Sequence, residues 1–407
     1  MVTKTFTWER GPFTVCAKCG NESFGLLSAG GNTLTMRCSK CHYSISERLP
    51  QVEKKVLYLD QNLFSILFKV KSGGRLPPGH EDTSVEIYKR LRRLVLLQMV
   101  VLPHSDIHHD ETIVFHSARE LRQAYEFLGG DLSFIDTKAV ELSQMICYAR
   151  AYLSEVEPEL NSDVDEVLQG NRNVWLPDMH ISVNADYTMF ADSIRKTRDS
   201  THREVTALMD QWRLHGTNFE KVLENEFESF GPTKRKALFD AINRQIHANT
   251  IEEPMAYLSA INHPILTEFN VLCELFSSHG VPEVQVGKIV NDFWLWRGNR
   301  TQPHLKIFAH LFAALARKVA SGQRKVTRGF MNDIMAISTY SPYVDAMFID
   351  KECASLLSEQ PLASDLHYRA RIFSMANVGE FIKYLDDLES EITEDVRALA
   401  TRIYGLQ

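Results

Sequence analysis

Four cysteines near the amino terminus constrain the fold of this chain more than any other sequence feature. They form two C-x2-C pairs, eighteen residues apart, within "CAKCGNESFGLLSAGGNTLTMRCSKC" at 16–41. Two residues between paired cysteines let both thiolates face one ion from a tight turn, and four thiolates complete a tetrahedral zinc shell. The intervening sequence suits two short strands joined at "AGGN". The pattern predicts a zinc ribbon over 1–50, with four ligands: Cys16, Cys19, Cys38 and Cys41.

Such a shell leaves no open position for a substrate, so we expect the Zn²⁺ to be structural. A module of about 45 residues hardly folds without its metal. The alternative, a disulfide or redox pair, is disfavoured in the cytosolic setting that we expect for this chain. Zinc ribbons often bind nucleic acid or protein, and basic and aromatic residues here suit either such a surface or an ordinary solvated face: Lys18, Arg37, Lys40, His42, Tyr43 and Arg48.

The length and the charge of the chain set broader limits. A chain of 407 residues predicts two to three domains. The net charge of −7 excludes a general polyanion binder, so any contact with nucleic acid would need local basic patches or a metal ion. No apolar run approaches the roughly 18–20 residues that span a bilayer, and "MVTKTFTWERGPF" lacks the apolar core of a signal peptide. We therefore expect a cytoplasmic protein without a membrane partner.

Strand and helix patterns alternate at both ends of the remaining chain. Strand-like segments occur at "VLYLD", "MVVLPHS" and "AMFID", and a helical pattern follows each of them. This order predicts an α/β domain with a small parallel sheet. Between about 115 and 325 the pattern is almost entirely helical, with proline and glycine between the helices. The sequence thus predicts a sheet domain in two parts, 51–114 and 326–407, around a large helical insertion at 115–325.

Four acidic residues stand at the ends of elements in the predicted sheet domain. Asp60 and Asp350 end strands, Glu111 lies early in the helix after the second strand, and Asp333 opens a helix. Ligands of open parallel sheets bind outside the carboxyl ends of the strands. Several carboxylates in one cleft repel one another unless a cation neutralises them. Oxygen ligands suit Mg²⁺ or Mn²⁺, which activate water and stabilise a leaving oxygen in phosphodiester cleavage.

The same motifs resemble those of PIN-like nuclease domains. That family places an aspartate after its first strand, a glutamate on a following helix, an aspartate opening a later helix, and another at the end of the next strand. "VLYLDQN", Glu111 and "NDIMAISTYSPYVDAMFIDKE" match this order, and Asp333 and Asp350 are seventeen residues apart. The resemblance covers roughly 54–114 and 327–357, and the long insertion departs from it. It implies an endoribonuclease with Mg²⁺ or Mn²⁺ at Asp60, Glu111, Asp333 and Asp350, and such an activity would suit a toxin or a defence effector.

Two further polar positions are secondary candidates for this site. Asp345 precedes Asp350 by five residues, which places it about 15–17 Å away if the segment is extended. It is therefore either a structural residue at the far end of the strand or a member of the site. Asn62 and Ser65 follow Asp60, where they would orient a metal-bound water or a phosphate, or serve only the turn and the helix.

Other interpretations stay open from the sequence. Asp60 also suits a simple helix N-cap. His104 and His108, four residues apart, could bind a transition metal with Glu111, and His108 or His109 could contact the substrate. A second class of function is a non-catalytic module in which the zinc ribbon binds nucleic acid or protein. The helical region is the candidate contact for a protein partner or a second copy of the chain.

Overall fold

The computed structural model describes residues 13–30, 33–114, 128–130, 132–175, 191–247, 257, 263–323, 325–404 and 406. Within these residues the chain is a mixed α/β protein with two principal sheets. One is antiparallel and lies near the amino terminus, and the other is parallel and combines segments from both ends of the chain. The coarse prediction of an α/β fold with a large helical region is confirmed.

The amino-terminal sheet has four antiparallel strands in chain order: β1 Phe13–Val15, β2 Glu22–Gly30, β3 Thr33–Cys38 and β4 Ser44–Arg48. The predicted strand pair between the cysteines is β2 and β3. Alternate residues of a strand share one face, so Leu34 and Cys38 of β3 lie on the same face, and both are buried. The sequence analysis predicted neither β1 nor β4, which are short and mostly exposed.

The second sheet is parallel and contains β5 Lys55–Leu59, β6 Val100–Val101, β9 Ala346–Phe348 and β10 Arg371–Phe373. Its strand order is β10-β9-β5-β6, and the register pairs Leu59 with Phe348. The chain moves from β5 to one side to form β6, and it returns on the other side to form β9. The strand order therefore reverses between β5 and β9, which is where an open α/β sheet forms a crevice.

The remaining elements surround this sheet. A small antiparallel pair is formed by β7 Ser133–Phe134 and β8 Leu168–Gln169. The described helices of four or more residues are α1 Gln61–Ser72, α2 Glu81–Leu96, α3 Asp106–Ile113, α4 Thr137–Ser154, α5 Ala191–His215, α6 Phe219–Ile246, α7 Pro264–Ser278, α8 Glu283–Trp294, α9 Pro303–Ala320, α10 Phe330–Tyr340, α11 Lys351–Ser358, α12 Leu362–Asp365, α13 Val378–Ser390 and α14 Glu394–Tyr404; 3₁₀ segments lie at Val164–Val167, Arg297–Thr301 and Met375–Asn377.

The helical region divides between two cores. Helices α4, α6, α7 and α8 contribute to a separate cluster that includes Leu272 and Phe293. Helices α5 and α9 instead pack into the main core, where Met209 and Leu311 join the residues of the parallel sheet. The region predicted as an insertion is therefore partly continuous with the sheet domain, and α5 lies against α3.

The antiparallel sheet is also held against the rest of the chain. Leu34 and Leu49 pack with Trp175 and with residues of α14. The Trp175 indole nitrogen donates a hydrogen bond to the carbonyl oxygen of Pro50 at 3.0 Å. None of the described helices combines the length and the apolar character that crossing a bilayer requires.

Candidate functional site

The four amino-terminal cysteines converge on one point. The sulfurs of Cys16 and Cys41 are 3.6 Å apart, those of Cys19 and Cys38 are 3.7 Å apart, and all four lie within 4.8 Å of one another. Zinc–sulfur bonds of about 2.3 Å imply sulfur–sulfur distances of about 3.8 Å around a tetrahedral ion. The cysteines can therefore hold a zinc ion, and the donor set fits the sequence prediction.

Two equivalent turns produce this convergence. Gly20 and His42 each follow a C-x2-C pair and have φ angles of 72° and 59°. Their amides donate to the carbonyl oxygens of Cys16 and Cys38, at 2.9 and 3.1 Å, which closes each turn. The amide two residues after the first cysteine of each pair approaches that sulfur at 3.4 and 3.3 Å. Glycine takes a positive φ readily, whereas His42 requires the turn to hold it.

Hydrogen bonds favour the thiolate at one of these cysteines. The backbone amide of Cys41 and the hydroxyl of Ser23 lower the pKa of Cys38 to about 5, and the Ser23 oxygen lies 3.0 Å from the sulfur. A thiolate is the form that binds a metal. The turns thus prepare the ligand chemically as well as geometrically.

The two strand-end aspartates lie together at the reversal point of the parallel sheet. Asp60 directly follows β5, and Asp350 stands two residues after β9. The Asp60 amide donates to the carbonyl oxygen of Phe348 at 2.9 Å, so the strand pairing extends up to the first carboxylate. Each aspartate also caps a helix, because Asp60 accepts a bond from the Asn62 amide and Asp350 accepts one from the Glu352 amide at 2.7 Å. The N-cap interpretation therefore holds alongside any metal role.

Glu111 and Asp333 approach each other over Gly329. A Cβ atom at Gly329 would lie 3.8 Å from Oε1 of Glu111 and 4.0 Å from Oδ2 of Asp333. The Asn332 side chain donates to the same Oε1 at 2.9 Å. Helix α10 begins at Phe330, so Asp333 lies within its first turn and does not open the helix as the sequence predicted. Without a side chain at 329, space remains beside both carboxylates.

Burial raises the pKa of three of these four carboxyl groups, and for two of them the charges of other members of the four add to the effect. Burial, followed by the charges of Asp60, Glu111 and Asp350, raises the pKa of Asp333 to about 9. Burial, together with the charges of Glu111 and Asp350, raises the pKa of Asp60 to about 7. Burial also raises the pKa of Glu111. The carboxylates thus act on one another, which is the condition that a bound cation relieves.

The carboxylates are nevertheless spread more widely than the cysteine sulfurs. In the part of the chain that the structure describes, only the cysteines form a group of three or more potential ligands within 4.8 Å of one another. Asp60, Glu111, Asp333 and Asp350 do not form such a group. Mg²⁺ and Mn²⁺ keep several water ligands and need only one or two direct carboxylates, so the spacing still suits their chemistry.

Two residues beside the acidic cluster were not predicted from the sequence. Arg198 of α5 places a guanidinium nitrogen 3.9 Å from Oε1 of Glu111, and Asn332 binds the same oxygen. Nothing in the sequence near Arg198 connects it with Glu111, because only the packing of α5 on α3 brings the two together. Asn332 directly precedes Asp333, so its place in the "NDIMAIS" motif was a signal that could have identified it.

Asp345 lies just before the amino-terminal end of β9, whereas Asp350 lies beyond its carboxyl-terminal end. Its Oδ2 accepts the Val56 amide at 2.8 Å, its Oδ1 pairs with Arg369 at 2.8 Å, and Lys55 approaches at 3.9 Å. These contacts join the amino ends of β5 and β9. The structure gives Asp345 a structural role and corrects its inclusion as a secondary site residue. Asn62 adjoins Asp60 with an exposed side chain, and its amide serves the helix cap.

The histidine cluster has a structural explanation at its centre. His108 is buried, its Nε2 donates to the Leu59 carbonyl oxygen at 2.7 Å, and its Nδ1 accepts the Ser105 amide at 3.0 Å. Burial lowers the pKa of His108 to about 3. Its ring also stacks on Tyr58 with centroids 4.9 Å apart. Both nitrogens are in use, so His108 is neither a metal ligand nor a substrate contact.

Comparisons with known proteins add no assignment. No protein-family model, no curated protein and no solved structure matches this chain. The resemblance to PIN-like nucleases therefore depends on the sequence motifs alone, and the site must be judged on its own chemistry.

Proposed function

We propose that this protein is a metal-dependent nuclease that cleaves RNA phosphodiester bonds through a PIN-like site. One observation carries the proposal: Asp60 and Asp350 follow the two neighbouring strands between which the strand order of the parallel sheet reverses, and their charges act on the same cluster as those of Glu111 and Asp333. This crevice is the usual ligand site of open α/β sheets. Carboxylates that repel one another in such a crevice do not stabilise the fold, and their arrangement favours the binding of a cation.

The residues of the chain would divide the work as follows. Asp60 and Asp350 present carboxylates from rigid strand ends, and each is oriented by the helix amide that it caps. Asn332 orients the carboxylate of Glu111. Asp333, with its pKa raised to about 9, would hold a proton at neutral pH and would have to lose it to serve as a ligand of a cation. A bound Mg²⁺ or Mn²⁺ supplies Lewis acidity for water activation and for the leaving oxygen.

The zinc ribbon has a separate place in this proposal. Its zinc is structural because four thiolates close the coordination shell. Lys18 and Lys40 stand exposed within the two metal-binding turns, with Arg37 and His42 nearby on the same module. These residues are candidates for contact with the nucleic-acid backbone, and the module would select or hold the substrate. RNA is favoured over DNA by the family resemblance.

Incubation with labelled RNA, tRNA, single-stranded DNA and double-stranded DNA, in Mn²⁺ or EDTA, tests the activity. We expect cleavage of RNA in Mn²⁺ only, and a loss of at least about 100-fold in the Asp60→Asn and Asp350→Asn variants. Asp110→Asn is the matched control, because Asp110 is an exposed acid next to Glu111. Full activity in either metal-loaded site variant, with the fold intact, would remove the assignment.

A second candidate is a non-catalytic binding module. The observation in its favour is that Asp60 and Asp350 are both explained as helix caps. In that case the zinc ribbon binds a nucleic acid or a protein, and the acids have no ligand. Titration with Mn²⁺ separates the two functions. The nuclease proposal expects thermal stabilisation by Mn²⁺ that Asp60→Asn removes, whereas the binding module expects none.

A further inference from the structure

Helix α5 brings a cation from the helical region into contact with the acidic cluster. A guanidinium nitrogen of Arg198 lies 3.9 Å from Oε1 of Glu111, and the Arg198 side chain is 27% exposed. At 3.9 Å the two groups form an ion pair at the outer limit of direct contact, without hydrogen-bond geometry. The contact with Glu111 is therefore electrostatic, and no guanidinium donor is hydrogen-bonded to that carboxylate.

The segment that precedes Gly329 lies near Glu111 and carries further positive charge. His202, one turn along α5, approaches the carbonyl oxygen of Val326 at 3.2 Å, which holds α5 against the segment before Gly329. On that segment Arg328 is exposed and pairs with Asp199 of α5 at 3.5 Å. Lys351 is exposed and directly follows Asp350. Cations thus border an acidic centre.

A metal-bound acidic centre and a cationic border suit a phosphate chain. Nucleic-acid affinity comes mainly from contacts between Lys or Arg and phosphate. A planar guanidinium matches phosphate oxygens in a two-point arrangement that an ammonium group lacks. Once divalent cations neutralise the carboxylates, Glu111 no longer needs Arg198 as its counter-ion. The guanidinium is then placed beside the reacting region with its charge available.

We propose that Arg198 is a substrate-positioning residue that binds an RNA phosphate next to Glu111, so that the helical region forms part of the substrate site. The inference builds on the nuclease proposed above and extends it to the segment that the family resemblance leaves unexplained. It assigns α5 a function that its sequence alone does not indicate.

The positioning role has an electrostatic signature that a structural role lacks. Removing the positive charge weakens RNA binding, because a phosphate contact is lost. The same removal tightens Mn²⁺ binding, because a cation no longer competes beside Glu111. If Arg198 only stabilised the fold around Glu111, its loss would weaken both and lower the melting temperature in saturating Mn²⁺.

The test compares Arg198→Ala and Arg198→Lys with the wild-type chain. Arg203→Ala is the matched control, since Arg203 lies on the same helix, is exposed and donates from Nε to the Asp199 carbonyl oxygen. The assays are cleavage kinetics on a fluorescent single-stranded RNA in Mn²⁺, anisotropy binding of a cleavage-resistant analogue of that RNA in Mn²⁺ at several salt concentrations, and Mn²⁺ titration by thermal shift.

For Arg198→Ala we expect KM to rise about tenfold with a smaller change in kcat, partial recovery in Arg198→Lys, and Mn²⁺ affinity equal to or tighter than wild type. The slope of log K against log salt should fall by about 0.7, the value for one phosphate contact on a single strand. An unchanged KM and salt slope, or weakened Mn²⁺ binding with a lower melting temperature, overturns the proposal. If the wild-type chain cleaves nothing, the nuclease fails, and the anisotropy arm alone then decides whether Arg198 contacts RNA.

Discussion

The two candidate metal-binding regions of this molecule are built in opposite ways. The cysteine site uses four ligands from 26 consecutive residues, at 16–41, and its sulfurs lie within 4.8 Å of one another. The carboxylate site uses residues from 60 to 350, and its donors do not meet that distance. Each cysteine pair is positioned by its own turn, whereas each acid is positioned by an element whose place depends on the whole sheet.

The difference in spacing follows from the difference in charge chemistry. Backbone and hydroxyl hydrogen bonds stabilise the thiolate of Cys38, and one shared ion would neutralise the charge of thiolates that converge on it. In the acidic cluster, burial and mutual repulsion raise the pKa of Asp333 to about 9 and that of Asp60 to about 7. Close approach of four ionised carboxylates would cost more still. The cysteine sulfurs are therefore spaced for one shared ion, whereas any ligand of the acidic cluster would have to supply positive charge.

The largest expected effect comes from Cys38→Ser. A structural zinc contributes about 10–16 kcal/mol of apparent binding free energy to a module of this kind, so the loss of one ligand should release the metal and unfold the antiparallel sheet. Atomic spectroscopy of zinc per chain and circular dichroism would measure this. Cys273→Ser is the control, because Cys273 lies outside the cluster. Retention of one zinc per chain in Cys38→Ser would contradict the four-cysteine assignment.

A smaller effect is expected for a substitution of Asp345. It tests whether the amino ends of the parallel strands have a different role from their carboxyl ends. Asp345→Ala removes the partners of Arg369 and of the Val56 amide, which should lower the free energy of unfolding by about 2–3 kcal/mol. Cleavage per folded molecule should stay at the wild-type level. Chemical denaturation and the RNA assay measure the two quantities. Asp350→Asn provides the comparison, with lost cleavage and little loss of stability; a cleavage defect in folded Asp345→Ala would return Asp345 to the site.

The smallest expected effect is a gain in stability for Asp333→Asn without divalent ions. The pKa of Asp333 is raised in the folded protein, so its stabilising contribution is full below the unfolded value near 4 and declines as pH rises towards 9. Asparagine keeps the neutral form at every pH. The gain should be small at pH 5 and about 2 kcal/mol at pH 8, a figure reduced because the side chain keeps some solvent exposure.

Melting temperatures at the two pH values, in EDTA, measure this gain. Asp110→Asn serves again as the control, because Asp110 is exposed. Saturating Mn²⁺ should reverse the order, since the wild-type carboxylate then has a cation to bind. Equal stability of Asp333→Asn and wild type at pH 8 would show that Asp333 is not held in a repulsive cluster.

Some elements of this chain could be predicted from the sequence and others could not, for physical reasons. Strands β5 and β9 were predicted because strands buried on both faces read as continuous apolar runs. Strand β10 was missed because three residues give no periodicity. His108 looked like a metal ligand by its spacing, but both of its nitrogens bond to the protein. Contacts across the fold decide such cases, and spacing along the chain carries no information about them.

By itself, the sequence determined the cysteine site, because two residues between paired thiols limit the turn to geometries that aim both at one ion. It also determined that Asp60 and Asp350 follow strands. Only the tertiary structure decided that these strands are neighbours, that Asp345 lies at their amino ends, and that Arg198 lies 3.9 Å from Glu111. Turn geometry is set by local backbone sterics, whereas the meeting of distant segments depends on which core they share.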